Sequence, residues 1–163
     1  MKTVSRISVV ILFILTVFSA CTTADLFEKT ASIPGHSWKS SFKPSFTFII
    51  KDTVSSYQVF LVIRHTDRYN FNNIWLKMGI QSPGSDSVHT FMINKQLGSD
   101  EKGWLGSGMD DIFEHRISLH QDLVSNDISF RKPGKYTFSL EQIMRDDPLK
   151  HVLNAGIRIE KKR

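Results

Sequence analysis

Cys21 is the one cysteine of this 163-residue chain, and it directly follows Phe18-Ser19-Ala20 at the end of an apolar run. A thiol in that setting suggests acylation. Lys2 and Arg6 make a short basic leader, Ile7 to Phe18 an apolar stretch of signal-peptide length, and Ser19-Ala20 a small-residue cleavage site. Cleavage before Cys21 would leave its thiol on the first residue of the mature chain, where a thioether carries membrane lipid and palmitate-type acyl chains complete the anchor. Phe18 is bulkier than the aliphatic residue usual at its position. A plain secretory signal peptide and an uncleaved membrane helix are the other readings, although the run falls short of the roughly 20 apolar residues that span a bilayer.

No other residues announce catalysis or metal binding. His115 and His120 are five apart on what reads as one strand, so they point to opposite faces and share no ion. His36, His65, His89 and His151 are scattered through separate segments. Asp110-Asp111 and Asp146-Asp147 offer oxygen ligands, but adjacent side chains splay apart and read as solvated loop dyads. Gly-x-Ser-x-Gly, a phosphate-binding loop and His-Glu-x-x-His are all absent from the sequence. The expectation is therefore no cofactor, no metal and no catalytic residue. Removal of Lys2 and Arg6 lowers the basic count from 21 to 19 against 16 acidic residues, a net of +3. That excess is partly a terminal Lys161-Lys162-Arg163, which reads as a solvated tail or a rest for anionic headgroups and not as a nucleic-acid stripe.

Two aromatic segments are candidates for partner binding. Gly103-Trp104-Leu105-Gly106-Ser107-Gly108 places apolar bulk on a glycine-rich loop, either as a partner-binding edge or as a cap on one open end of the core. Trp75 faces opposite to Ile74 and Leu76, so it is either a second buried layer or an exposed aromatic. Trp75, Trp104 and Leu105 are thus the partner-binding candidates, and Trp38 joins the tryptophans as a stacking platform if the ligand is carbohydrate.

The elements that would hold these residues are strands. Residues 1–20 read as the lipoprotein signal peptide, 21–44 as a polar lipidated tether and 45–163 as the folded domain. Apolar residues alternate at Phe46-Phe48-Ile50, Tyr57 to Ile63, Ile74 to Ile80, Phe91-Ile93, Phe113 to Leu123, Tyr136 to Leu140 and Ala155 to Ile159, the period of half-buried strands. Phe60 and Val62 fill the second face of one run and mark it as central in its sheet. Residues 97–111 read as a long loop, and 141–145 as a short helical turn stopped by Pro148. Such a pattern predicts an all-β, single antiparallel β-sandwich, jelly-roll or immunoglobulin-like. With 143 residues after cleavage it is long enough for one core, and with no second cysteine it has no disulfide.

The succession Arg64-His65-Thr66-Asp67-Arg68-Tyr69-Asn70-Phe71-Asn72-Asn73-Ile74-Trp75-Leu76, then Gly103-Trp104-Leu105-Gly106-Ser107-Gly108, then Gly134-Lys135-Tyr136-Thr137-Phe138 to Gln142-Ile143-Met144-Arg145-Asp146, and Ala155 to Lys161 resembles the GldH family of gliding-motility lipoproteins. The resemblance spans nearly the whole mature domain. It implies an envelope lipoprotein needed for gliding of diderm bacteria and linked to the type IX secretion machinery, with no enzymatic activity. Thr22, where an acidic residue would retain a lipoprotein in the inner membrane, points by analogy to the outer membrane, on its periplasmic face. Two rival expectations stand beside it: a carbohydrate-binding envelope lipoprotein, and a hydrolase of unrecognised type.

Overall fold

Alternation builds most of the molecule. In the computed structural model, which describes residues 26–162, the strands in chain order are β1 (Leu26–Ser32), β2 (Ser37–Trp38), β3 (Ser45–Ile50), β4 (Tyr57–Thr66), β5 (Asn73–Gln81), β6 (His89–Gln96), β7 (Gly98–Ser99), β8 (Gly103–Trp104), β9 (Ser107–Met109), β10 (Ile112–Ser118), β11 (Gly134–Gln142), β12 (Leu149–Lys150) and β13 (Val152–Lys161). One sheet runs β1-β13-β4-β10-β9 and a second β3-β11-β5-β6, with two short pairs, β12-β2 and β7-β8, at the rim. All pairings are antiparallel. The sheets face each other through their apolar rows, so the chain is an all-β sandwich.

The core lies between those rows. Leu61 and Ile63 of β4, Leu76 and Met78 of β5, Phe138 and Leu140 of β11 and Ile157 of β13 have no measurable exposure. Phe48 and Phe138 meet edge to face at 5.9 Å between ring centroids, a geometry that adds to the area they bury. As its two-sided apolar content implies, β4 is the third of five strands, between β13 and β10.

Three local expectations give way. Residues from Leu26 onward, read as tether, form β1 and pair with β13 from Leu26↔Glu160 to Ser32↔Asn154. Ile33 and Trp38, also assigned to the tether, are buried at 2% and 0%. The inward row of β1 contains Lys29, whose Nζ donates to the Thr47 carbonyl at 2.6 Å; a lysine in the apolar row hides the alternation. The helix falls at His120–Ser125 (α1) and not at 141–145, where β11 continues to Gln142. Leu119 and Leu123 are four apart, a spacing that alternation and a helical turn share, and the Leu123 N–H donates to the Leu119 carbonyl at 2.9 Å. Residues 97–111 hold three short strands where a structureless loop was expected. The signal peptide and Cys21 lie outside the described residues.

Candidate functional site

The segment from β7 to β9 is a strap laid over one edge of the sandwich. It starts where the N–H groups of Leu97 and Gly98 both donate to the Asn72 carbonyl, at 2.7 and 2.9 Å, and its hairpin closes where Leu105 N–H donates to the Leu97 carbonyl at 2.8 Å. Trp104 turns inward. Its ring centroid lies 4.4 Å from that of His65, 5.9 Å from Phe113 and 6.2 Å from Tyr69, so it caps the core. Leu105, next in line, turns outward and is 48% exposed. The strap approaches so closely that a Cβ on Gly106 would stand 2.5 Å from the Glu114 carbonyl oxygen, and one on Gly108 2.7 Å from the Phe113 ring. Those distances leave room for hydrogen alone.

Beneath Trp104 two histidines meet. The Nε2 atoms of His65 and His115 are 2.9 Å apart, and His65 Nδ1 lies 2.7 Å from the Thr66 carbonyl oxygen. A carbonyl only accepts, so His65 carries its proton on Nδ1; its Nε2 then accepts from the Nε2–H of His115. The rings are 0% and 3% exposed. Burial pushes the His65 pKa down against the opposing pull of the Thr66 carbonyl. His115 falls to about 4, first through burial and then through the proximity of His65. Both imidazoles are neutral at pH 7. Tyr69, packed on His65 at 5.0 Å, has its phenol pushed up by burial and then by the charge of Asp146.

No hydroxyl or carboxylate side chain among the described residues hydrogen-bonds either imidazole. None of the described His, Cys, Asp and Glu side chains forms a group of three placed to hold a metal ion. Each buried imidazole finds a hydrogen-bond partner in the other, as polar groups in a core do. Sequence reading separated these residues. His120 opens α1, so it does not share a strand with His115, and the partner of His115 is His65, fifty positions away. A signal was present, because His65 continues the inward row Val59-Leu61-Ile63 and His115 sits in the row Phe113-Ile117.

Outside the strap a groove of about 580 Å³ runs along β10, lined by Leu105, Ser107, Glu114, Arg116, Ile117 and Ser118 among others. It exists because β9 pairs with β10 only from Ile112 to Glu114. Leu119 N–H donates to the Val59 carbonyl, so by strand alternation the backbone groups of Arg116 and Ser118 point away from β4, where no strand of the described residues follows. At the other end of β10, where it pairs with β9, Met109 is 80% and Ile112 38% exposed. Glu114 accepts from Arg64 and, at 2.9 Å, from Arg116; the Arg64 hydrogen bond leads in holding its carboxyl below the usual range.

The remaining tryptophans lie elsewhere. Trp75 stands 42% exposed on the outer face of the second sheet, with its N–H 3.1 Å from the Met144 sulfur. It does not join Trp104 and Leu105. Trp38 is fully buried, its Nε1–H donating to the Phe42 carbonyl at 2.8 Å, which removes it as a stacking platform. No helix among the described residues is long and apolar enough to cross a membrane.

Comparison with known proteins places this geometry in a family context. The family model described as "GldH lipoprotein" matches residues 25–159. The gliding motility lipoprotein GldH homolog of Christiangramia forsetii is 25% identical over 159 residues, covering 93% of each chain. Gliding motility lipoprotein GldH of Flavobacterium johnsoniae is 26% identical over 151 residues, covering 88% of this chain and 89% of that one. Among solved structures, that of the infectious bursal disease virus Gx strain aligns with a TM-score of 0.31 at 13% identity, covering 88% of this chain and 33% of its own, a likeness too slight to carry an argument.

Proposed function

The chain belongs to the GldH lipoprotein family, and on that premise we propose that it is a lipid-anchored, non-enzymatic protein of the cell envelope that supports gliding motility by holding a protein partner. Acylated Cys21 supplies the anchor, in the outer membrane and on its periplasmic face. The partners are components of the gliding apparatus and of the type IX secretion machinery that the family resemblance implies. Two relatives bearing the gliding-motility name support the first part of this reading.

The observation that carries the binding role is the unfinished edge of β10. Backbone groups at Arg116 and Ser118 face outward with no strand of the described residues beside them, and exposed Leu105 lines the same groove. An open edge of this kind accepts an added strand, whose main chain gives affinity and whose side chains fill the adjoining groove. The alternative of carbohydrate binding loses two of its three platforms, since Trp38 is buried and Trp104 half-buried against His65.

The test is complementation of a deletion strain with Leu105→Glu. The expected result is normal abundance in the envelope with loss of a crosslinked partner and of colony spreading. Normal spreading and an unchanged crosslinking pattern would sink the edge as the binding surface.

A further inference from the structure

The anchor and β1 are close neighbours. Only four residues separate Cys21 from Leu26, where β1 begins, so a chain at full stretch keeps the domain within about 18 Å of the acylated thioether. Which end of the sandwich hangs there is set by pairing. Leu26 opposes Glu160, Lys161 opposes Tyr57, and Lys162 N–H donates to the Ser56 carbonyl at 2.8 Å. The start of β1, the end of β13 and the β3–β4 turn therefore share one end. Ile50 opposes Gly134, which brings the approach to β11 to the same place.

That end is basic. Lys51, Arg131, Lys132, Lys135 and Lys162 are all exposed and in no ion pair among the described residues. Its described acids are partly neutralised: Asp52 pairs with Lys161 at 2.7 Å and Asp122 with Lys95 at 2.6 Å, Glu28 and Glu160 share Arg158 at 2.8 and 2.5 Å, and Asp86 and Asp127 make no ion pair among the described residues, so the cations remain in excess. Apolar tips stand among the cations, with Val54 96% and Val124 60% exposed on either side of a cleft of about 400 Å³. The far end is mixed: Asp67, Asp100, Glu101, Asp110, Asp111 and Asp146 lie in its loops and turns among exposed Arg68, Lys102, Arg145 and Lys150.

We propose that the basic end, with Val54 at its tip, is a membrane-facing surface that rests on the anionic headgroups of the leaflet holding Cys21. The inference rests on the lipoprotein reading of Cys21. The short span from the anchor keeps that end close to the bilayer, and the charge makes it complementary to anionic lipid, each cation adding about fivefold to the partitioning. The far end and the open edge of β10 are left turned away from, or beside, the bilayer, where a protein partner reaches them.

The experiment uses the full-length acylated protein in phosphatidylcholine vesicles with and without roughly a third phosphatidylglycerol. Because Cys21 is acylated, Val54→Cys provides a single thiol for an environment-sensitive dye, and Glu101→Cys provides the control at the far end. With anionic lipid, a nitroxide quencher on the headgroups should quench the dye at Val54 several-fold more than at Glu101. High salt, or joint reversal of Lys51, Lys132, Lys135 and Lys162 to Glu, should erase the difference. Equal quenching at both ends, or a difference indifferent to salt, overturns the proposal. Flotation separates this from the lipoprotein reading: an unacylated chain stays in solution, and with Cys21→Ser added, so that each dye again has a single thiol, the dyes report binding of added protein to anionic vesicles at low salt. Absence of that binding also overturns the proposal.

Discussion

His65 and His115, on neighbouring strands and fifty positions apart in sequence, hold their Nε2 atoms 2.9 Å apart beneath the ring of Trp104. The contact works only while His65 stays neutral, since a proton on its Nε2 would set two N–H groups against each other in the core, and burial penalises the charged form of either ring.

Stability should therefore fall in mildly acidic solution. A histidine whose folded pKa is depressed contributes stability that is complete above the unfolded value of 6.5 and is lost as pH falls towards its folded value, about 4 for His115. With allowance for solvent reaching the ring from the groove, the loss is on the order of 2 kcal/mol. Urea unfolding at pH 7, 5.5 and 4.5 should show it. His115→Gln keeps a neutral donor for His65 and should flatten the profile; an unchanged profile would rule out the pair as its source. Glu114, whose carboxyl is held low chiefly by Arg64, adds its own loss only below its unfolded pKa, so the interval just under pH 6.5 belongs to the histidines.

Trp104 and Leu105 are adjacent and should behave oppositely. Trp104→Ala removes the cap over His65, Tyr69 and Phe113 and should cost about 2–4 kcal/mol, at the low end for a large aromatic because the side chain is only half-buried. Leu105→Ala should shift stability by less than about 0.5 kcal/mol. Thermal melts of the two purified variants, side by side, decide the matter.

Truncation should reveal the cost of mistaking β1 for a tether. A chain beginning at Ser32 loses the strand that covers the outer edge of β13, together with the edge-to-face contact of Phe27 with Phe48 at 6.4 Å. Its urea midpoint should drop markedly below that of a chain beginning at Leu26. Equal midpoints would show that β1 is dispensable.

Cys21→Ala should release or mislocalise the protein, because the anchoring energy resides in the acyl chains. Metabolic labelling with a fatty-acid analogue should mark the wild type and not the variant. A wild type that takes up no label would end the lipoprotein reading.

Much of the sandwich was legible from the sequence alone. The inward rows of β3, β4, β5, β11 and β13 appear as alternation because the pleat is local: whether one residue faces the core fixes the facing of its neighbours. The processing signal around Cys21 is likewise read in a few consecutive residues, and the family resemblance rests on the order of such short segments. The partner-binding candidates were legible as unusual residues but not in their roles. Trp104 is a cap, Leu105 a groove wall and Trp75 a separate exposed aromatic, because burial is set by what lies across the strand and not along it.

What only the tertiary structure decided involves residues far apart in the chain. β1 is a strand because β13 lies beside it, despite Lys29 in its inward row. His65 meets His115 because β4 and β10 pair in a register that brings Phe113 opposite His65. The open edge of β10 follows from β9 beginning only at Ser107, opposite Glu114, and the basic end follows from gathering Lys51, Lys132 and Lys162 out of three separate segments. Local sequence determined which way each side chain turns; strand pairing determined what it meets there, since the hydrogen bonds that set register join backbone groups that have no sequence of their own.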